Sequence, residues 1–320
     1  MLNKKIIVIT PVYEEDEAAS FLFRDIHKQF ASDVFVLVVD DGSVRHPLCI
    51  ENLRNAGVDG LILKLRRNVG HQRAIAIGMA FLSEHIRSEQ RVVIMDSDGE
   101  DLPSTIPLIL QQLESEETDI VVAKRRRRVE TIKFILFYAL YKVFFRIMCG
   151  RTINFGNYIA LKPHALKRLA AMQESSVHIA GAVLASKLRL KSCTIDRGAR
   201  YAGQSRMSFV GLVLHGLKGL MVFVEDVLVR VGVVCSVVAV FTIIGTLAAI
   251  ALKLIGFSTP GWFSIAVGIM SLMLLQTGAV ALITLLLSGI IRSGIVTGSQ
   301  AHREFIECII STDKSQQWSE

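Results

Sequence analysis

Four carboxylates, Asp96, Asp98, Glu100 and Asp101, fall within six residues directly after the apolar run 92–95. Like charges this close repel, and desolvating any of them is costly unless a positive group sits among them. Asp96 and Asp98 flank a single residue, Ser97, at what reads as a strand end, so both side chains can approach one ligand. Oxygen-only donors at this spacing suit a hard divalent cation such as Mg2+ or Mn2+, which takes its remaining ligands from water and substrate phosphates. The positive group expected here is therefore a metal carrying a nucleotide diphosphate. An Asp-x-Asp alone arises often by chance, so the surrounding elements decide its weight.

Those elements alternate. Short β-branched runs at 6–10, 34–39, 61–65, 92–95 and 119–123 have strand length, and Leu22, Phe23, Ile26 and Phe30, like Ile75, Met79, Leu82 and Ile86, recur at helical spacing. Strands alternating with helices predict an α/β fold with a mostly parallel sheet covered on both faces, whose ligands bind at the carboxyl ends of the strands. The polar clusters fall at those ends: "TPVYEED", "DDGS", "RRNVGHQ", "DSDGED" and "KRRRR" follow the five runs in order. Loops built only for turning would be rich in Gly, Asn and Pro. These instead gather acids, arginines and Pro11-x-Tyr13-x-Glu15, as a shared site requires. The Gly-rich signatures of dinucleotide and P-loop folds and the Ser-centred nucleophile elbow are missing from the sequence.

The rest of the 320 residues points to a bilayer. Hydrophobic residues make up 51% of the chain, and neither 231–252 nor 254–291 contains a charge. The first run gives a helix roughly 33 Å long, enough for a hydrocarbon core of about 30 Å. Gly256, Pro260 and Gly261 break the second, leaving 262–291 as another span. A buried hairpin in a soluble protein would normally keep a polar face. Lys253 is the lone charge of the connecting loop, whereas Arg206, Lys218 and Arg230 precede the pair and Arg292 and Arg303 follow it. The positive-inside rule then predicts a multi-pass protein of the cell (inner or plasma) membrane, its catalytic part (1–226) and tail (293–320) cytoplasmic around two spans within 227–292. The tail, short and polar, suggests no function. Five scattered cysteines agree with a reducing compartment. A net charge of +7 suits nucleic acid or an anionic membrane, and the spans favour the membrane, with no nucleic-acid partner expected. Residues 131–148, apolar and aromatic but carrying Lys133, Lys142 and Arg146, and residues 207–226 read as helices lying in the membrane interface. His71, His164, His178 and His215 lack ligand-like spacing and read as structural histidines.

"VITPVYEEDEAA", "VVDDGS", "RRNVGHQRAIAIGMA" and "MDSDGEDLP", in this order, resemble the family 2 glycosyltransferases with the nucleotide-sugar-binding GT-A fold. "RGARYAGQSRMSF" (197–209) is similar to the R-x-x-G-x-S-K segment of the polyprenyl-phosphate glycosyltransferases, the group that includes dolichyl-phosphate mannose synthase, and the two spans resemble its bacterial undecaprenyl-phosphate members. The resemblance implies that Pro11, Tyr13, Glu15 and Asp41 line a nucleotide-sugar pocket, with Asp40 and Ser97 beside them. It implies Asp96, Asp98 and Glu100 as ligands of Mg2+ or Mn2+, and Arg125, Arg200, Ser205 and Arg206 as the clamp on an acceptor phosphate. Asp96, Asp98, Arg125 and Arg200 are the expected catalytic set. Departures are visible: Glu100 stands where many relatives have Gln, Leu102 where they have Pro, Arg206 where they have Lys, and 154–166 differs from the usual G-D-F-R-L segment.

The implied activity is inverting transfer of one sugar from a UDP- or GDP-linked donor to an undecaprenyl- or dolichyl-type phosphate. Polymer synthesis and an inactive scaffold are the alternatives. The Q-x-x-R-W motif of polysaccharide synthases is absent around Trp262 and Trp318, and intact Asp96, Asp98 and Arg200 speak against a scaffold. A homo-oligomer is compatible with the sequence, which is silent on the sugar.

Overall fold

A computed structural model describes residues 4–125, 132–202, 209–257, 261–292 and 302–313. Among them, eight strands form one sheet in the order β7-β5-β6-β4-β1-β2-β3-β8. The expected runs become β1 (Ile6–Val12), β2 (Val34–Asp40), β3 (Asp59–Leu65), β4 (Arg91–Ile94) and β5 (Ile120–Arg125). β4, β1, β2 and β3 pair in parallel, as does β5 with β7 (Leu190–Ile195). Two antiparallel strands depart from this pattern: β6 (Ile159–Leu161), between β4 and β5, and β8 (Ile306–Ser311), on β3.

Side chains alternate across a strand, so the β-branched runs feed two cores. Ile7, Ile9, Leu37, Val39, Leu61 and Leu63 face one side, under α3 (His71–Ser83), α6 (Pro163–Ala170) and α7 (Ile179–Ala185). Val8, Val36, Val38, Ile62 and Val93 face the other, under α1 (Asp16–Phe30), α2 (Ile50–Asn55) and α4 (Ile106–Leu113). Burying a parallel sheet on both faces leaves its strand ends as the place where polar groups can meet a ligand.

The chain divides into two compact units. One comprises Met1–Val143, Thr152–Val222 and Thr297–Glu320, the other Phe144–Arg151 and Phe223–Val296. The tail is thus more than a polar appendage: β8 joins the sheet, and the Thr312 N–H donates to Gly60 O at 3.0 Å. The expected interface helices are α5 (Ile132–Cys149) and α8 (Phe209–Met221), with the Tyr141 hydroxyl donating to Gly216 O at 3.0 Å. α8 stops short of the expected end at 226, and the next helix begins at Val224. Exposed Val210, Leu214, Leu217 and Met221 recur along it at helical spacing.

The second unit is dominated by α9 (Val224–Leu254) and α10 (Trp262–Arg292), which pack on each other. Both are long and apolar enough to cross a membrane, and only 6% of either apolar window is buried. A soluble hairpin core would bury most of that surface, so these helices need an apolar surrounding.

Candidate active site

The ends of β1, β2 and β4 lie side by side: Pro11 registers with Val39, Val12 with Asp40, and the Met95 N–H donates to Ile9 O at 3.1 Å. This adjacency gathers three of the polar loops. After β2, Asp40 is fully buried and accepts the backbone N–H groups of Ser43 (2.9 Å) and Leu48 (3.4 Å), which folds the loop around its carboxylate. Asp41 accepts those of Val69 (2.7 Å) and Gly70 (3.0 Å), tying the same loop to the start of α3. Burial raises the Asp41 pKa, only partly opposed by those two N–H groups. Gly42 has φ +72°, and a Cβ there would lie 2.5 Å from the Arg67 carbonyl carbon, so the close approach of the two loops requires glycine. Pro11 is buried in β1, Tyr13 is exposed, and Glu15 is the N-cap residue of α1.

After β4 the acids are held differently. His71 Nε2 lies 3.1 Å from Asp96 Oδ1, Arg200 Nη2 2.7 Å from Asp98 Oδ2, and Arg200 Nε 3.2 Å from Glu100 Oε1. Arg197 Nη2 pairs with Glu100 Oε2. Among the described residues, two arginines and a histidine of the chain itself thus supply positive charge beside these acids. Glu100, expected to join the metal pair, has its two carboxylate oxygens on Arg197 and Arg200. Among the described residues, no group of three His, Cys, Asp or Glu side chains forms a cage for a metal ion. Asp96 and Asp98 remain the oxygen donors that suit a hard dication in kind, as a pair that a diphosphate would have to complete.

The backbone fixes this loop against the 197–201 segment. The Gly198 N–H donates to Glu100 O (3.0 Å) and the Tyr201 N–H to Asp98 O (2.9 Å). The Tyr201 ring stacks 5.9 Å from Phe21, and its hydroxyl donates to Asp25 at 2.7 Å. Gly99, with φ +91°, packs where a Cβ would lie 2.5 Å from that ring. Asp101 Oδ2 accepts the Asp96 N–H (3.1 Å), and Ser97 is buried within the turn. Beside it, Asp96, Glu100, Asp101, Asn157, Asp196 and Arg197 help line a small recess.

Two residues here escaped the sequence reading. His71, expected to be structural, reaches Asp96, and the Asn157 side-chain amide lies 2.9 Å from the same ring nitrogen. Burial works against a charged His71, but Asp96, with help from Asp41 and Asp98, outweighs it and raises the pKa. Its place in the loop after the third strand was the available signal. Arg197 had none beyond its neighbourhood to Arg200, and burial lowers its pKa. The other histidines fit the structural expectation: His164 pairs with Asp119 (3.0 Å) and His178 with His215 (3.2 Å). Arg125 ends β5 beside Ile195, with its side chain outside the described residues, as are Ser205 and Arg206 entirely.

A family model described as glycosyl transferase family 2 matches residues 7–171, just over half of the chain. The uncharacterized glycosyltransferase YkoT of Bacillus subtilis (strain 168) is 24% identical over 292 residues, covering 87% of this chain and 85% of its own. The undecaprenyl-phosphate 4-deoxy-4-formamido-L-arabinose transferase of Serratia proteamaculans (strain 568) is 25% identical over 280 residues, covering 81% and 79%. Among solved structures, glucosyl-3-phosphoglycerate synthase from Mycobacterium tuberculosis, in complex with Mn2+, UDP-glucose and phosphoglyceric acid, superposes with a TM-score of 0.50 over 70% of this chain and 80% of that one. At 15% identity this likeness speaks for the fold alone, a GT-A-like sheet with its helices.

Proposed function

Because the chain belongs to glycosyl transferase family 2, we propose that it moves one sugar from a nucleotide-sugar to a polyprenyl phosphate at the cytoplasmic face of a cell membrane. The observation that carries this reading is the 2.7 Å pair between Arg200 and Asp98. It joins the segment assigned to the acceptor's phosphate to the loop assigned to the donor's diphosphate. The undecaprenyl-phosphate transferases among the relatives support the acceptor class.

A phosphate monoester has a second pKa near 6, so the acceptor is largely dianionic at neutral pH and already nucleophilic. Its oxygen attacks the anomeric carbon, the bond from that carbon to the diphosphate breaks with its electrons leaving on the diphosphate, and the configuration inverts. No Ser, Cys or strong base is needed. The task is to hold two anions together and in line. Asp96 and Asp98 are the residues that would hold Mg2+ or Mn2+, whose role is to neutralise the leaving diphosphate. Pro11, Tyr13, Glu15, Asp41 and Ser97 line the donor side, with Asp40 shaping their loop. Arg200, with Arg125, Ser205 and Arg206, takes the acceptor phosphate, where forked guanidinium donors fit well.

Two features support the membrane part of the reading. The exposed apolar stripe of α8 suits an interfacial helix. The chain leaves the first unit after Val222 and returns to pair β8 with β3, so α9 and α10 together must bring it back to the side it left. Positive flanks favour the cytoplasm for that side.

The test is transfer by detergent-purified protein with Mn2+, a polyprenyl phosphate and a panel of nucleotide-sugars, read by mass spectrometry. A lipid carrying a single sugar is expected. A polymer, or no product from any donor, would overturn the reading.

A further inference from the structure

Arg200 pairs with the carboxylate assigned above to the donor's metal. Its guanidinium bridges Asp98 Oδ2 (2.7 Å) and Glu100 Oε1 (3.2 Å), and a dication bound through that Asp98 oxygen would have to displace it. The same side chain is the one assigned above to the acceptor's phosphate. We propose that Arg200 is a placeholder cation: it neutralises Asp98 before the donor arrives, and metal arriving with the diphosphate releases it to the acceptor phosphate. Loading of the donor thereby makes the acceptor site. This inference rests on the transferase reading and adds an order of events to it.

The geometry suits such an exchange. The backbone on either side is pinned by Gly198 to Glu100 O and Tyr201 to Asp98 O, and Tyr201 is anchored on Phe21 and Asp25. Releasing Asp98 Oδ2 from Arg200 therefore asks for rotation of a side chain and leaves these main-chain bonds in place. Arg197 holds the other oxygen of Glu100. Glu100 therefore keeps Arg197 when Arg200 leaves, a use for a carboxylate where many relatives have Gln. One anionic partner is traded for another, and a phosphate accepts the guanidinium fork at least as well as a carboxylate does. Competition at Asp98 has a reciprocal signature: metal must strengthen binding of the acceptor phosphate by the factor with which that phosphate strengthens binding of metal.

The test uses the full chain in detergent, with Mn2+ followed by electron paramagnetic resonance and farnesyl phosphate by calorimetry. Removing the competing cation in Arg200→Ala should tighten Mn2+ binding about tenfold. Arg200→Gln, which keeps more of the side chain's bulk, should do the same if the alanine variant proves unstable. Wild type should bind farnesyl phosphate about tenfold more tightly with Mn2+ than without it, and the variants should show no such gain. Unchanged or weaker Mn2+ binding in the variants overturns the proposal. So does a farnesyl phosphate affinity in wild type that ignores Mn2+, or a Mn2+-dependent gain that survives in the variants, since direct bridging by the metal would then explain it. Sugar transfer by wild type in the same preparation separates the failure of this inference from failure of the transferase reading.

Discussion

The two acidic loops at the carboxyl edge of the sheet resemble each other in sequence and differ in what neutralises them. Asp40 and Asp41 are held by backbone N–H groups of Ser43, Leu48, Val69 and Gly70. Asp96, Asp98 and Glu100 meet the side chains of His71, Arg197 and Arg200, and Asp98 Oδ1 also accepts a backbone N–H, that of Glu100 (3.0 Å). A backbone donor cannot leave without unfolding its loop, whereas a side-chain cation can rotate away. The first arrangement builds a wall, and the second keeps charge available for exchange. Acid content alone does not distinguish them.

The sharpest break of this contrast is Asp98→Ala. Transfer should fall by at least roughly a thousandfold, while the protein stays folded because the main-chain bonds from Gly198 to Glu100 O and from Tyr201 to Asp98 O remain, although the Glu100 N–H loses its acceptor. Near wild-type turnover in the purified variant would remove the metal assignment. Next comes Arg200→Ala, expected to raise KM for the lipid phosphate about tenfold while that for the nucleotide-sugar stays level or falls. Equal increases in both would argue against an acceptor role. Asp40→Ala addresses the wall: losing the acceptor for two buried N–H groups should cost about 2 kcal/mol of stability in denaturant titration, and an unaffected midpoint would deny the loop-shaping role. The smallest effect is on pH. His178 accepts the Gly181 N–H at Nδ1 and meets His215 at Nε2, and burial, with His215 nearby, lowers its pKa to about 4. A histidine depressed below its usual 6.5 gives stability that is complete above that value and lost as pH falls toward 4. Wild type should therefore lose on the order of 1–2 kcal/mol more than His178→Asn between pH 7 and 5. Parallel profiles would show that the imidazole pair is not involved.

What the sequence disclosed follows from what is local. β1 to β5 were legible because each holds a short, mainly β-branched apolar run followed by a polar cluster, and α9 and α10 because their uncharged runs exceed what a soluble helix carries. β7 was hidden because it is an edge strand whose burial is confined to Cys193 and Ile195. β6 has only three residues, and β8 pairs with a partner some 240 positions earlier, which no local period reveals. In the site, the Asp-x-Asp spacing exposed Asp96 and Asp98. The roles of His71 and Arg197 depend on strands being brought together and on side-chain direction, neither of which is written in spacing. Glu100 illustrates the limit: its position suggested a metal ligand, and only the approach of the 197–201 segment reveals its arginine partners.

The pairing of β8 with β3 also bears on biosynthesis. The β3 edge of the sheet can be sealed only after both long apolar helices, α9 and α10, have left the ribosome and the chain has turned back. Until then its row of main-chain donors and acceptors stays exposed, a surface prone to sticking to other chains. A nascent chain stalled within α9 or α10 would carry an unfinished sheet, so completion of the sheet waits on synthesis of the apolar helix pair.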